Sequence, residues 1–443
     1  MKKAFTFVLI SIFVLSHLRA QENIKEGWTF GALPAIAYDS DLGFRYGALV
    51  NLFYYGDGST YPHYLHSIYY ELSTTTKGST LSKFYWDTDQ LTKNYYLRLT
   101  TSFNIIIDRA FDFYGFNGYE ANYINAFEDE ADPLYRSRMF YRHERIRNNV
   151  IIDFQGEISN KTLRWIGGYG FFDYKLNSVN VNKLNEGKDE SDQLPTVEEE
   201  PGLYELYSDY NILPSNEING GQFHYFKAGL VYDSRNVEAN PTSGMWTEFT
   251  FAMVPGALSR DDISFTKLSV VHRQYFPLLP NKLSLVYRLG YQQTIAGHTP
   301  FYAQPYIYEA WPNSASAEGI GGAKNVRGIL RNRIVGNGIA YGNLELRWKF
   351  FQTIVKKQNL YLALAPFLDG GMVTKPIEIN KSAVPTQELP LYFTDNRESL
   401  HLAWGGGFYT AINENFIIAV MYGRAFDTQD GVDGLYININ YLF

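Results

Sequence analysis

Few side chains in this 443-residue sequence are arranged for catalysis. His224 and His272 each stand alone, without a serine and an acid at a spacing that would bring the three groups together on neighbouring strands. The sequence contains neither a G-x-S-x-G nor an H-E-x-x-H pattern. It also contains no cysteine, which excludes a thiol nucleophile, a disulfide framework and a zinc site built on thiolates. We therefore predict no catalytic residue and no enzymatic activity.

Three other features could hold a ligand, and each has a simpler explanation. Glycine clusters at 167–170 and 405–407 resemble phosphate loops, but no helix follows either one, so bending or close packing of a strand is favoured. Segment 177–222 is acidic and contains the run Glu198-Glu199-Glu200, so calcium binding is conceivable. Its spacing matches no ligand loop, which favours a solvated acidic loop. We predict no cofactor and no metal site.

Charged and apolar residues alternate in a stretch that follows a glycine-rich loop. The loop contains Val326-Arg327-Gly328-Ile329, and the alternation begins at Gly338. Side chains of a strand point to opposite faces at successive positions, so this strand would have one apolar and one charged face. The apolar face would carry Leu344, Leu346, Trp348 and Phe350, and the charged face Asn343, Glu345, Arg347 and Lys349. We expect the apolar face to contact lipid and the charged face to line a lumen.

The composition is typical of a transmembrane β-barrel. Aromatic residues make up 17% of the chain, with 36 Tyr and 31 Phe, although the mean hydropathy is only −0.25. This combination is unusual for a soluble core, but it fits strands whose aromatic residues form girdles at both membrane interfaces. The net charge is −7 and the Lys and Arg residues are scattered, so we predict no nucleic-acid partner.

The N-terminal residues predict export from the cytoplasm. Lys2 and Lys3 precede an apolar run from Phe5 to Leu15, and Ala20 is a small residue at a plausible cleavage position. We assign residues 1–20 to a signal peptide and residues 21–443 to one barrel domain. Only residues 21–26 lie between the signal and the first strand, so we expect no soluble N-terminal domain.

Sixteen segments have the alternating pattern of barrel strands, separated by clusters of Gly, Asn, Asp and Pro. The segments are 27–39, 42–56, 62–75, 79–90, 92–106, 135–158, 161–176, 223–235, 244–256, 262–276, 282–297, 338–350, 358–373, 398–412, 415–426 and 433–443. Segment 135–158 is treated as one strand, because bacterial barrels have even strand numbers and long outer loops. The predicted fold is an all-β, antiparallel, transmembrane barrel with long extracellular loops at 107–134, 177–222, 298–337 and 374–397.

Four motifs, in this order along the chain, resemble the BamA/TamA superfamily of outer-membrane assembly factors, also called the bacterial surface antigen family. They are Gly229–Asn236 with Asn240–Gly244, Val326–Ile329, Phe367–Gly371 and the terminal Tyr441–Phe443. The resemblance covers the barrel of that family without its periplasmic POTRA domains. It implies a sixteen-stranded barrel, in agreement with the segment count, with one outer loop folded into the lumen.

The resemblance also implies a lumenal latch, formed by Val326, Arg327, Gly328 and Ile329 with Glu345 and Asp369. In the family, the loop arginine contacts acidic residues on the two strands that follow. The alternating pattern supports this placement, because Glu345 and Asp369 both lie opposite the apolar faces of their strands. The family more often has an aromatic residue where this chain has Ile329.

Two further residue groups follow from the resemblance. Asp233, Arg235, Pro241 and Gly244 belong to a strand–turn motif, and we favour a structural role for them at the periplasmic rim. Tyr441 and Phe443 resemble the terminal aromatic signal that is recognised when a barrel is inserted, and the alternation places both on the lipid face with Leu435 and Ile437.

The expected function is non-enzymatic work in the outer membrane of a Gram-negative cell. The resemblance implies protein insertion, protein translocation or lipid transfer through a mobile seam between the first and last strands. The expected partners are outer-membrane lipid, unfolded or exported client proteins, and a separate periplasmic or outer-membrane accessory protein. The alternative is an outer-membrane channel or surface receptor, since a sixteen-stranded barrel is wide enough for water unless it is plugged. A soluble all-β enzyme is disfavoured by the one-sided alternation.

Overall fold

The computed structural model describes residues 25–61, 64–127, 131–238, 240–310, 318–355, 358–412, 416–439 and 441–443. The predicted signal peptide, residues 1–20, lies outside these ranges. No helix within the described ranges has the length and apolarity needed to cross a bilayer.

Strands account for most of the described chain. The segments are β1 Trp28–Pro34, β2 Ala37–Asp39, β3 Gly43–Tyr54, β4 His66–Thr75, β5 Ser79–Thr88, β6 Leu97–Asp112, β7 Arg142–Ser159, β8 Leu163–Asn177, β9 Gly220–Asp233, β10 Gly244–Val254, β11 Phe265–Leu279, β12 Leu283–Gly297, β13 Gly338–Val355, β14 Gln358–Lys375, β15 His401–Ile412, β16 Phe416–Ala425 and β17 Asp433–Ile439. Short helices lie in the outer loops: α1 Val181–Asn185, α2 Leu203–Asp209 and α3 Leu389–Tyr392.

The segments form one closed antiparallel sheet with sixteen strand positions. β1 and β2 both pair with β3, so they are two parts of a single first strand that is interrupted at residues 35–36. Every later strand pairs with its neighbours in chain order, and β17 pairs with β2 to close the sheet. Closure pairs most of the backbone groups that would otherwise be exposed to the hydrocarbon, where unpaired groups are costly. The junction of the first and last strands is the exception, because β2 and β17 pair at two positions only. The predicted sixteen-stranded barrel is confirmed.

The two faces of the wall follow the predicted alternation. On β13, Leu344 and Trp348 are exposed on the outer face, while Asn343, Glu345 and Arg347 are buried on the lumenal face. The single long strand predicted at 135–158 corresponds to β7, which begins later, at Arg142, and buries Arg145 and Arg147 on its lumenal face. The fifth strand continues to Asp112, beyond the predicted end at residue 106, through a register shift between Asp108 and Phe111.

The long outer loops fold into a compact structure above the barrel, which we call the outer dome. It consists of loops 113–141, 178–219 and 376–400 together with residues 298–310. Its core is largely aromatic. The buried rings include Phe113, Tyr114, Phe116, Tyr141, Tyr204, Tyr207, Phe301, Tyr302, Tyr392 and Phe393. Segment 177–222 was predicted to be a solvated acidic loop, and the buried rings of Tyr204 and Tyr207 differ from that expectation. Hydrophobic spacing within an irregular loop gives no periodic signal.

Candidate functional site

The lumenal loop, residues 298–337, enters the barrel from the outer end, and its described part places Val326–Ile329 against the inner wall. Gly328 has a φ of +92°, and a Cβ atom there would lie 2.6 Å from the backbone nitrogen of Arg424. The opposing wall residue is Gly423, whose own Cβ would lie 2.8 Å from the carbonyl carbon of Arg327. Glycine is therefore required on both sides, because loop and strand backbones meet without side chains between them.

Arg327 is enclosed by two carboxylates, as the resemblance implied. Its Nε donates to Asp369 Oδ2 at 2.8 Å and its Nη2 to Asp369 Oδ1 at 3.0 Å. Its Nη1 lies 2.7 Å from Glu345 Oε1, and its backbone nitrogen also donates to Asp369 Oδ2 at 3.1 Å. All three side chains are fully buried. The bidentate contact with Asp369 fixes the orientation of the guanidinium as well as its position.

Neighbouring side chains hold this cluster in place. The ring of Phe367 lies under the guanidinium of Arg327 at 3.6 Å, and Arg347 Nε donates to the second oxygen of Glu345 at 2.8 Å. Tyr436 on β17 accepts a hydrogen bond from the backbone nitrogen of Gly328 at 3.0 Å. The sequence could have identified Phe367 and Arg347 as neighbours of the cluster, because each lies two residues from a predicted carboxylate on the same strand face.

Val326 and Ile329 pack into an aliphatic cluster instead of an aromatic one. Both side chains are buried against Ile320, Ile334 and Val373. Ile329 therefore fits a pocket with aliphatic walls, which explains the departure from the more usual aromatic residue.

Glu318 provides a second anchor for the lumenal loop that the sequence did not indicate. One of its oxygens lies 2.6 Å from Nη1 of Arg145, and the other pairs with Arg147; both arginines are on β7. Arg145 also pairs with Asp108 on β6 at 2.6 Å. The loop is therefore tied to β7 on one side of the lumen and to β13 and β14 on the other.

The strand–turn motif lies at the periplasmic rim. Asp233 accepts hydrogen bonds from Arg235 Nε at 2.9 Å and from Arg164 Nη2 at 3.1 Å. Pro241 is buried, and Gly244 has a φ of +88° with no room for a Cβ, since Ser234 O would be 2.1 Å away.

Turn 234–243 also reaches across the periplasmic mouth. Glu238 lies 3.5 Å from Arg98 on β6, while Asn240 Nδ2 donates to the hydroxyl of Tyr361 on β14 at 2.7 Å. These strands occupy the fifth and thirteenth of the sixteen positions and thus face each other across the lumen. The turn therefore covers part of the mouth, which is more than the rim role that we expected.

Tyr441 and Phe443 do not lie on the lipid face, and that part of the prediction is wrong. β17 ends at Ile439, and both aromatic side chains are buried inside the barrel. Tyr441 stacks on Tyr409 with ring centroids 4.3 Å apart, and Arg347 Nη2 donates to the backbone oxygen of Phe443 at 2.8 Å. Cation–π contacts with lumenal arginines stabilise this inward course.

The seam between the first and last strands is short. β2 and β17 pair only at Asp39↔Tyr436 and Tyr38↔Ile437. Ser40 adds a hydrogen bond from its nitrogen to Leu435 O at 3.1 Å. In the next turn residue, burial raises the pKa of the Asp41 carboxyl to about 6, and the neighbouring Asp39 carboxylate adds to the rise.

The histidines considered for catalysis have hydroxyl partners. His224 Nδ1 lies 2.7 Å from the hydroxyl of Tyr169, and His272 Nδ1 lies 2.8 Å from Thr247 Oγ1. Across the described ranges, no group of three or more His, Asp or Glu side chains is arranged to hold a metal ion.

Comparison with known proteins agrees with this architecture. A solved structure of BamA from Haemophilus ducreyi lacking POTRA domains 1–3 has a TM-score of 0.55 at 15% identity, over 94% of this chain and 70% of that chain. CdiB from Escherichia coli gives 0.52 at 10% identity, over 94% and 63% of the two chains. CdiB from Acinetobacter baumannii gives 0.46 at 13% identity, over 94% and 60%. This chain thus spans less than two thirds of the CdiB chains.

No match was found among curated proteins. The model of the Omp85 superfamily domain matches residues 66–434, which include the lumenal loop and fourteen of the sixteen strand positions in whole or in part. Because this match extends over most of the sequence, the chain belongs to the Omp85 superfamily.

Proposed function

We propose that this outer-membrane barrel works without catalysis in outer-membrane biogenesis, by opening its seam to insert or translocate client proteins or to pass lipid. The observation that carries the proposal is the two-residue pairing of β2 with β17. β13 and β14, in contrast, pair along almost their whole length, from Gly338↔Lys375 to Val355↔Gln358. Separating the seam therefore costs far fewer backbone hydrogen bonds than separating any such wall pair.

Packing inside the barrel supports movement on one side of the seam. None of the buried apolar clusters found in the described ranges contains a residue from β1–β5. On the other side, Tyr409, Met421 and Tyr436 of β15–β17 pack with Ala323 of the lumenal loop. The first five segments can therefore move outward without breaking a packed apolar core, whereas the last strands are held by the lumenal loop.

The seam also leaves a strand edge for a client. β1 pairs with β3 from Trp28↔Tyr54 to Pro34↔Ala48, while β17 ends at Ile439 and pairs only with β2. β1 therefore receives no partner from the last strand within the described ladder. An extended segment of another chain can add to such an edge through backbone hydrogen bonds.

A disulfide across the seam tests the proposal. Because the chain has no cysteine, the pair Tyr38→Cys with Ile437→Cys forms one defined crosslink between facing residues. We expect the oxidised variant to lose insertion of an unfolded barrel client into liposomes and to lose function in the native host. Reduction should restore both.

A matched crosslink in the far wall is the control. Thr250→Cys with Ser269→Cys joins facing residues of β10 and β11, and this lock should leave activity unchanged when oxidised. Full activity of the oxidised seam variant would refute seam opening.

We further propose that a separate periplasmic protein delivers clients to this barrel. This part rests on the family resemblance, which covers the barrel of that family without its periplasmic POTRA domains. Purification from native membranes should yield a co-purifying periplasmic protein, and its absence under mild solubilisation would count against this part.

A further inference from the structure

A cavity separates the lumenal loop from the strands next to the seam. Lys324 of the loop lines one side, Tyr38 of β2 and Arg45 of β3 line another, and Asn438 of β17 closes the lower edge. The cavity has a volume of about 70 Å³. At about 10–15 Å³ for each water, this is room for about five water molecules, or five non-hydrogen atoms. A phosphate group has this size.

Positive charge converges on this cavity. The side chain of Lys324 is exposed to the cavity. The loop backbone at this residue is held inside the barrel, because Arg288 Nη2 on β12 donates to the Lys324 backbone oxygen at 3.3 Å. Lys324 lies close enough to Arg45 and to Lys83 for like-charge repulsion with each of them. Within the part of the chain that is described, Lys324 has no ion-pair partner.

The nearby carboxylates are already engaged. Glu71 lies 3.8 Å from Nη1 of Arg45, accepts a hydrogen bond from Ser73 at 2.6 Å, and accepts another from Tyr69. Asp39 accepts the backbone N–H of Asp41 at 2.8 Å. The lining also includes Glu318, which pairs with Arg145 and Arg147, and Arg331, which pairs with Asp112. These carboxylates are thus engaged by groups other than Lys324. Lys324 therefore keeps its ammonium group available to an anion that enters the cavity, and such an anion would supply the missing ion-pair partner.

We propose that this cavity binds a phosphate group, with Lys324 and Arg45 as the contacting cations and Lys83 as a nearby positive charge. Lysine serves as a point charge for phosphate, and arginine adds directed hydrogen bonds. The cavity borders the two-residue seam, beyond which lies the membrane, so the headgroup of an anionic phospholipid is one source of the group. Free inorganic phosphate is the other. The site is independent of client insertion, since it requires only the folded barrel.

Binding to the purified, folded barrel tests the site. Native mass spectrometry in detergent with added phosphatidylglycerol should show a retained lipid, and calorimetry with inorganic phosphate should show binding of the same chemical group. Lys324→Ala should weaken both by about tenfold, the usual effect of losing one charge-assisted hydrogen bond. Lys324→Arg should retain binding. Lys188→Ala, which removes an exposed lysine of the outer loop 178–219, is the matched control.

The possible outcomes distinguish a lipid headgroup from free phosphate and also test whether Lys324 forms the site. Binding of both ligands with the same dependence on Lys324 supports a lipid headgroup, while binding of inorganic phosphate alone supports a free anion. Equal binding by Lys324→Ala and the wild type, with both proteins shown to be folded by their heat-dependent mobility on gels, would overturn the site. A wild-type protein that binds phosphate normally but shows no insertion activity would refute the proposed function and leave this site intact.

Discussion

All three guanidinium nitrogens of Arg327 contact carboxylate oxygens in a fully buried site. The stability of the lumenal latch therefore depends strongly on this side chain. Replacing Arg327 by Ala leaves Glu345 and Asp369 buried with fewer positive partners. Breaking a buried pair in this way typically costs about 3–5 kcal/mol. We expect Arg327→Ala to lower the free energy of unfolding by this amount, measured from the urea dependence of the folded band on gels.

Two variants sharpen the expectation for Arg327. Arg327→Lys keeps the charge but loses the paired contact with Asp369, so its stability should fall between those of the wild type and the Ala variant. Lys188→Ala should have no effect. Equal stability of Arg327→Ala and the wild type would show that water compensates the two carboxylates.

Glu318 leads to a second prediction at the residue scale. Glu318→Gln removes the carboxylate shared by Arg145 and Arg147, although Arg145 keeps Asp108 as a partner. We expect a loss of about 1–3 kcal/mol in unfolding free energy, the cost of leaving a buried polar group with a weaker partner. A double-mutant cycle with Arg147→Met measures the coupling. Additive effects would mean that Glu318 and Arg147 do not stabilise each other.

The predictability of the site differs between its residues for a physical reason. Glu345 and Asp369 were predicted because the strict alternation of a strand assigns every side chain to a face, and the family pattern supplied their arginine. Glu318 lies in an irregular loop, where no periodicity indicates direction, and its partners are far away in sequence. Tyr441 and Phe443 were misplaced because the alternation continues through them, whereas their contacts with Arg347 favour an inward course.

Among the elements, the strands were predicted best. All sixteen alternating segments correspond to strand positions, because one lipid face and one polar lumenal face impose the same period on every strand. The interruption of the first strand at residues 35–36 and the early end of β17 were not predicted. Both depend on how the two chain ends meet, a contact between residues about 400 positions apart. The aromatic core of the outer dome was not predicted either, because irregular loops have no residue periodicity that indicates which side chains are buried.

The seam should respond to pH through Asp41. Its pKa is raised to about 6, compared with about 3.9 for an unperturbed Asp. The folded state therefore binds a proton more tightly than the unfolded state, so the stability of this end of the seam falls as pH rises from about 4 to 6. We expect amide exchange at residues 36–42, corrected for intrinsic rate, to be about tenfold slower at pH 5 than at pH 7, because pH 5 lies about one unit below the raised pKa of Asp41.

Asp41→Asn is the control for the pH response, because it keeps the size of the side chain and removes the titration. Its exchange at residues 36–42 should be independent of pH over this range. A pH response that persists in Asp41→Asn would assign the effect to another group near the seam.

At the scale of the whole molecule, the lumen is obstructed at three levels. The aromatic core of the outer dome covers the outer end, the lumenal loop joins β7 to β13 and β14 in the middle, and turn 234–243 joins β6 to β14 below. The last two connections link the same opposite walls. They brace the barrel across one diameter, and the seam lies midway along one of the two arcs between the braced walls.

This obstruction favours the proposed lateral opening over an axial channel. A sixteen-stranded barrel without a plug conducts water and ions, but here the lumenal loop and the dome fill that path. We expect the wild-type protein to show no large, steady conductance in planar bilayers. Arg327→Ala should produce intermittent openings, because the loop loses its fixed contact with β13 and β14 while Glu318 still holds it to β7. The double variant Arg327→Ala with Glu318→Gln should open more often, since the loop then has weaker contacts with both walls. Lys188→Ala should behave like the wild type. A large, steady wild-type pore would support the channel alternative, and it would mean that the lumenal loop leaves the barrel under the conditions of recording.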